Sequence, residues 1–262
     1  MAHPASTDAL ELTDVRVRFG GINALDGVSL RVGLGEICGL IGANGAGKTT
    51  LFDVISGVRF PNSGKVKLHG RVVTRWSPHR RARAGLRRTF QRVQTFGWLT
   101  VEENLLVASE WRGGGGGTLA DLVGSPTRRR RERERRAHAE TVIETCGLGA
   151  VGVASAGALP IGTARLVELG RALVDEPSLL LLDEPASGLD AAEADRFGRL
   201  MRDARDRLGT SVLLVEHDVG FVMAHCDRVV VLHLGRIIAE GTPDEVRNNP
   251  AVRDAYLGTV TV

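Results

Sequence analysis

A glycine-rich run, Gly42-Ala-Asn-Gly-Ala-Gly-Lys-Thr49, stands between the apolar stretch Glu36 to Ile41 and a segment, Lys48 to Ser56, that is patterned as a helix. Strand, glycine loop and helix in that order leave a chain few options. Successive backbone N–H groups of such a loop converge, and the helix that follows adds the partial positive charge of its N-terminus, so the unit forms a cradle for phosphate oxygens. The glycines at Gly42, Gly45 and Gly47 let the backbone approach without a Cβ in the way. In this pattern Lys48 reaches the β- and γ-phosphate oxygens and Thr49 turns its hydroxyl toward Mg²⁺. Glycine-rich turns are common in a chain with 33 glycines, but lysine occurs only at 48, 65 and 67, so its place in the pattern does not follow from composition.

With 262 residues, 43% of them apolar, the chain can bury a sizeable core as one large domain or as a domain with a smaller lobe. The net charge of +3 is mild, and nearly all the cations are arginine. Cys38, Cys146 and Cys226 are odd in number and widely spaced in apolar surroundings, which gives neither a disulfide framework nor a metal site and suits a reducing compartment. No basic segment followed by an apolar core opens the sequence, and no apolar run approaches a membrane span, so a soluble or peripheral protein is expected.

Alternation at Val15 to Phe19 and around Val28 to Val32 predicts antiparallel strands with one solvated face ahead of the loop. A further strand pair is expected across Gly64 to Val73, with Pro61-Asn-Ser-Gly64 as its turn. Thr100-Val-Glu-Glu103 has the form of a capping box opening a helix from Val101 to Trp111, which Gly113 to Gly117 break. The basic stretch Arg128 to Arg136 continues to Cys146, and Gly147 ends that helix. The second half reads as helix Thr163 to Val174, strand Leu179 to Leu182, helix Ala191 to Leu208 and strand Val212 to Val215. Both of these strands are continuous apolar runs, as in a parallel sheet covered on both faces. A hairpin across Val229 to Ala239 and a capped helix from Thr242 close the pattern.

Asp183 and Glu184 follow the strand Leu179 to Leu182, at the carboxyl end where open α/β sheets bind ligands. Asp183 is suited to hold Mg²⁺ and Glu184 to orient or deprotonate a water that attacks a γ-phosphate. On its own an Asp-Glu pair after a strand is more readily a loop start or helix cap; the upstream loop reverses that preference in favour of the chemical role. His217 lies just past the next strand, on the same rim, and is placed for a γ-phosphate.

The order of these elements resembles that of ATP-binding cassette (ABC) ATPases over essentially the whole chain. The resemblance implies an α/β P-loop NTPase fold, a RecA-like core with an antiparallel β subdomain and an inserted helical subdomain. It implies one cassette domain over 8–258, with 8–91 and 160–258 as catalytic core and β subdomain, 92–159 as helical subdomain and 1–7 as a tail. By the same resemblance Phe19 stacks on adenine, and Gly42, Asn44, Gly45, Ala46, Gly47, Lys48, Thr49 and Thr50 form the Walker A site. Gln91 is the Q-loop glutamine, shared between nucleotide and metal, Thr49, Gln91 and Asp183 surround Mg²⁺, Asp190 belongs to the D-loop and His217 is the switch histidine. Lys48, Glu184 and His217 carry ATP hydrolysis. The implied partners are integral membrane permease subunits, a second cassette facing this one head to tail as homo- or heterodimer, and indirectly an extracytoplasmic solute-binding protein, with the chain peripheral on the cytoplasmic face of the membrane.

The phrases Arg88-Thr-Phe-Gln91, Leu99 to Val107, Ile238 to Pro243, Arg247 to Pro250 and Ala255 to Gly258 resemble the cassettes of branched-chain amino-acid importers. Lipopolysaccharide-export and urea-import cassettes share parts of them, and a soluble non-transport ABC ATPase is the alternative in another class. Where the family carries Leu-Ser-Gly-Gly-Gln, this chain has Leu159-Pro-Ile-Gly-Thr163: Gly162 is kept, but Pro160 has neither a hydroxyl nor an N–H. The run Arg128 to Arg136 reads as a solvated or membrane-facing helix face with a Glu132–Arg136 pair; no aromatics are interleaved to stack bases, so no specific nucleic acid is expected.

Overall fold

The computed structural model describes residues 7–109 and 126–253. The glycine run 113–117, the end of the expected helix at Trp111 and the phrase Ala255 to Gly258 lie outside them. The chain divides into two compact units, one of 1–88, 178–187 and 205–262, the other of 89–177 and 188–204. The second unit therefore takes in the helix after Pro160 and most of the helix after Asp190 as well as the lobe expected at 92–159.

The first unit holds two sheets. Strands β1 (Asp8–Phe19) and β2 (Ile22–Gly33) form a long antiparallel hairpin, and β4 (Ser63–Leu68) and β5 (Arg71–Val72) extend it in the order β2-β1-β4-β5. The expected turn at Pro61 to Gly64 is corrected: Ser63 and Gly64 already lie in β4, and His69-Gly70 makes the turn into β5, both at positive φ. The second sheet contains β3 (Ile37–Ile41), β6 (Leu86–Arg88), β7 (Leu179–Asp183), β8 (Ser211–Val215), β9 (Arg228–His233) and β10 (Arg236–Gly241), in the order β10-β9-β3-β8-β7-β6. All neighbours are parallel except the β9–β10 hairpin. Strands β3 and β8 are buried at every residue, which explains why they read as unbroken apolar runs. One apolar core joins the two sheets, with Leu10 and Leu30 contributed by the first, Leu40, Leu181 and Val230 by the second, and Phe52 by the helix that follows the glycine loop.

Helices α1 (Lys48–Ser56) and α2 (Pro78–Arg83) also belong to this unit, as do α7 (Val219–His225), α8 (Pro243–Asn248) and α9 (Pro250–Val252). The expected cap at Thr242 is a full capping box with Glu245. In the second unit, α3 (Val101–Ser109), α4 (Pro126–Thr145) and α5 (Ile161–Leu173) pack around Val101, Leu105, Val142 and Leu166. Thr100 and Glu103 make the reciprocal bonds of the capping box at 3.2 and 2.8 Å. A Cβ on Gly170 of α5 would meet Leu105 and Cys146 at 3.5 and 3.6 Å, ordinary van der Waals distance. On α4, Arg130 pairs with Glu134 at 2.8 Å and Arg136 reaches Glu102 at 3.2 Å, while the Glu132 side chain lies outside the described set. Helix α6 (Ala191–Leu208) runs from the second unit into the first. The three cysteines are free and buried, and burial pushes the thiols of Cys38 and Cys146 up to about 12, far from the thiolate.

Arg81 on α2 is completely buried, with no counterpart in the sequence pattern. Its guanidinium donates to the carbonyls of Val54 (2.6 Å) and Ile55 (2.7 Å) in the last turn of α1, and to those of Thr74 and Trp76. A cation there satisfies helix-end carbonyls and meets the negative end of the dipole. Burial lowers its pKa to about 10, so it stays charged at neutral pH. Arg81→Met takes a donor from each of these carbonyls and leaves that of Val54 only the Gly57 N–H at 3.3 Å, and a loss of about 3–5 kcal/mol is expected. Urea unfolding checks this: a loss under about 1 kcal/mol would show that α1 does not depend on the arginine.

Candidate functional site

The loop after β3 is shaped by what surrounds it. A Cβ on Gly42 would stand 2.2 Å from the carbonyl oxygen of Leu232, and one on Gly47 2.5 Å from that of Ala24, so neither position admits a side chain. Gly47 also has φ of 107°. The loop is also tied down by the Gly235 N–H, which donates to the Ala46 carbonyl at 2.9 Å. Gly45, in contrast, has φ of 80° and open space where its Cβ would be. The buried floor and open rim leave the first turn of α1, with Lys48, Thr49 and Thr50, at the mouth of a cleft of 220 Å³. Asn44, Gly45, Ala46 and Gly47 line it, joined by Glu184, Val215 and His217.

Lys48 is buried and its ammonium donates to the carbonyls of Gly42 (2.6 Å) and Ala43 (3.1 Å). Burial lowers its pKa, against the opposing pull of Glu184 and Asp183. An ammonium held on neutral carbonyls gains an ionic partner when phosphate oxygens arrive.

Asp183 ends β7. Burial raises its pKa, and Arg88 opposes this through a contact at 3.1 Å. Glu184, the next residue, has φ of 50°, a left-handed conformation that costs a non-glycine residue about 1 kcal/mol and turns its side chain off the strand. Its N–H donates to the Val215 carbonyl at 2.9 Å. His217 Nε2 meets Glu184 Oε1 at 2.6 Å, so the histidine and the carboxylate expected on one rim are in direct contact.

Phe19 is the last residue of β1, 42% exposed, and is not part of the cleft lining. The Arg59 guanidinium stands 4.2 Å over its ring, a cation–π contact on one face.

The other expected residues lie in the second unit. Gln91 is exposed, and its carbonyl accepts from Arg165 Nη2 at 2.7 Å. Arg165 and Glu168, both buried on α5, also hold Phe90 and Gln94 of that segment. Burial raises the pKa of Glu168. The helix expected from Thr163 begins two residues earlier, at Ile161, because Pro160 has the fixed φ that suits a helix entrance. Pro160 is the N-cap and makes no side-chain cap bond, and Gly162 lies within the first turn. A Cβ on Gly162 would come within 2.4 Å of Glu193 Oε1. Asp190 caps α6: Glu193 N–H donates to its Oδ1 at 2.8 Å, and its own N–H donates to Glu193 Oε2 at 3.1 Å.

Sequence reasoning missed Glu216. Its buried carboxylate accepts from the N–H of Ala186 at 2.6 Å and from that of His217 at 3.0 Å, joining the turn after Glu184 to the turn carrying His217. Burial raises its pKa, and these bonds oppose the rise. The available signal was an acid directly at the end of the apolar run Val212 to Val215.

Among the described residues no group of three or more His, Cys, Asp or Glu side chains could ligate a metal by itself. A hydroxyl and one carboxylate suit Mg²⁺, which keeps several waters and takes further oxygens from substrate phosphates. The residues present therefore fit Mg²⁺ bound with a nucleotide.

The architecture and cleft are those of a P-loop nucleotide-binding cassette. The family described as ABC transporter matches residues 25–187, and the chain belongs to that family, as one of its ATP-binding cassettes. A second family, branched-chain amino acid ATP-binding cassette transporter, matches 236–261. The chain is 40% identical to the high-affinity branched-chain amino acid transport ATP-binding protein BraF of Pseudomonas aeruginosa and 39% identical to LivG of Escherichia coli, over 97% of this chain and 99% of each relative. It is similar to the crystal structure of the ADP conformation of an ABC transporter cassette, at a TM-score of 0.83 and 32% identity over 97% of this chain and all of that one. A nucleotide-free cassette gives a TM-score of 0.81 at 30% identity, covering 95% of this chain and 98% of its own.

Glu216→Ala leaves the Ala186 and His217 N–H groups without their acceptor and loosens the Glu184–His217 pair. Single-turnover ATP hydrolysis is expected to slow by about ten- to a hundredfold while nucleotide affinity holds within about twofold. Equal losses in rate and affinity would assign Glu216 a role in folding alone.

Proposed function

We propose that the chain is the ATP-hydrolysing subunit of a membrane importer of branched-chain amino acids or related small solutes. The observation that carries this is the 2.6 Å contact of Glu184 with His217 inside the cleft formed by the glycine loop. The names of BraF and LivG support the solute class. Among the described residues no helix is long and apolar enough to cross a membrane. The likeness to transport ATP-binding proteins supports permease subunits as partners and a peripheral place on the cytoplasmic face. The helical unit, with Gln91 in its leading segment, is the part that transmits nucleotide state to them. A solute-binding protein outside the membrane delivers the solute.

ATP is the substrate. The loop backbone and the first turn of α1 bind its α- and β-phosphates, and Lys48 leaves the Gly42 and Ala43 carbonyls for the β/γ oxygens. Glu184 orients the attacking water and draws its proton, while His217 holds that carboxylate and contacts the γ-phosphate. Thr49 and Asp183 would hold Mg²⁺, which would neutralise phosphate charge there. Phe19 takes adenine on the face that Arg59 leaves open. Gly162 and Asp190 complete the site of a second cassette in a head-to-tail dimer.

Reconstituted with its permease pair, the complex should show solute-stimulated ATP turnover. Lys48→Ala is expected to abolish nucleotide binding or hydrolysis, and Glu184→Gln to bind ATP and accumulate as a closed dimer. Wild-type turnover in Glu184→Gln would overturn the assignment. Phe19→Ala should weaken ATP binding by about tenfold, read by fluorescent-nucleotide titration, because base stacking on an aromatic contributes about 1–3 kcal/mol. Unchanged affinity would return Phe19 to a packing role. The capless Pro160 predicts unequal sites when the partner is a different cassette with a serine in its signature: Glu184→Gln in this chain then costs more turnover than the matching change in the partner. Equal losses would show that Gly162 and the α5 N-terminus suffice.

A further inference from the structure

The segment Arg88-Thr-Phe-Gln91 contains a residue that the phosphate-loop chemistry does not use. Arg88 is the last residue of β6, paired in register with Leu181 of β7. Its side chain is almost wholly buried and its guanidinium forks. Nη1 donates to Asp53 Oδ1 at 2.7 Å and to Ser56 Oγ at 3.2 Å, both on α1, while Nη2 donates to Asp183 Oδ2 at 3.1 Å. The guanidinium also stands 5.6 Å from the centre of the Phe52 ring on the same helix.

These contacts join two parts of the site that no backbone bond connects. Helix α1 begins with Lys48 and Thr49 and ends with Asp53 to Ser56, so what holds its second turn also sets where Thr49 stands. Asp183 is the tip of β7. A planar guanidinium can bond two carboxylates at once and hold their separation, which a point-charge ammonium cannot do. An aspartate has two oxygens with about four acceptor sites, so a guanidinium on Oδ2 does not prevent the same carboxylate from facing a hydrated cation.

We propose that Arg88 is a positioning residue for the metal–nucleotide site, locking Asp183 to the helix that carries Thr49 and so fixing the separation of the two groups that hold the divalent cation. This rests on the reading of Thr49 and Asp183 as the cation's residues. A purely structural ion pair at the same place would affect unfolding and leave metal affinity alone.

The test uses the full chain with ADP and Mn²⁺, reading bound Mn²⁺ by electron paramagnetic resonance and ADP affinity in EDTA by fluorescence titration. Arg88→Gln should weaken Mn²⁺ binding in the ADP complex by about tenfold, with metal-free ADP affinity within about twofold of wild type. Arg88→Lys, which keeps the charge and loses the fork, should fall between them. If Arg88→Gln does not fold, Asp53→Asn loosens the α1 end of the fork and should weaken Mn²⁺ by about threefold. Wild-type or tighter Mn²⁺ affinity in the folded Arg88→Gln protein, or in Asp53→Asn where that is the variant measured, overturns the proposal. A wild-type chain that binds ADP but shows no nucleotide-dependent Mn²⁺ site overturns the reading of Thr49 and Asp183, and the proposal with it.

Discussion

Val215 sets the register on which the site depends. It stands opposite Leu40 of β3 on one side and Asp183 of β7 on the other, and its carbonyl receives the Glu184 N–H. The glycine loop, the carboxylates and His217 all leave the sheet within a few residues of that row. Because the side-chain period of a strand is two, a slip by one residue would turn Asp183 or Glu216 toward the wrong face and break the apolar packing that covers both faces of β3 and β8. The positions of the functional groups are thus inherited from burial of side chains that take no part in the chemistry.

Concentrating carboxylates beneath one cleft requires a partner for each, and the partners differ in kind. Asp183 is set against Arg88, Glu184 against His217, and Glu216 against main-chain N–H groups. Burial pushes Asp183 and Glu216 toward the neutral form, and these contacts oppose it. The same logic applies to Lys48, whose buried ammonium rests on carbonyl oxygens. In the proposed reading these donors and acceptors surround the phosphate charge, and holding them in place beforehand limits the reorganisation that binding demands.

In the second unit, α5 plays a comparable organising part. Arg165 and Glu168 hold the backbone on either side of Gln91, while Gly162, at the entrance of the same helix, leaves only enough room for Glu193. Glu193 is in turn the partner of Asp190. One helix therefore connects, through side chains, the segment of Gln91 with that of Asp190. Pro160, at the entrance of the same helix, makes no side-chain cap bond and offers neither a hydroxyl nor an N–H, and these contacts stand beside it.

Local pattern in the chain was sufficient for much of this. Gly42 to Thr49 specify a phosphate loop because φ and Cβ constraints act within a few residues, and the apolar runs at β7 and β8 specify buried parallel strands because composition reports two-sided burial. The capping boxes at Thr100 and Thr242 were legible for the same reason, each being complete within four residues. The hairpin turn at His69-Gly70 and the start of α5 at Ile161 were misplaced, since glycine and proline mark several neighbouring positions equally well. What tertiary structure alone decided are the long-range contacts: Arg88 with Asp183 across 95 positions, Arg81 beneath α1, Glu216 with Ala186, and Arg59 over Phe19. An arginine or glutamate in sequence shows only that a charge is present; which group it faces depends on how strands distant in the chain are brought side by side, and that is determined by the packing of the sheet.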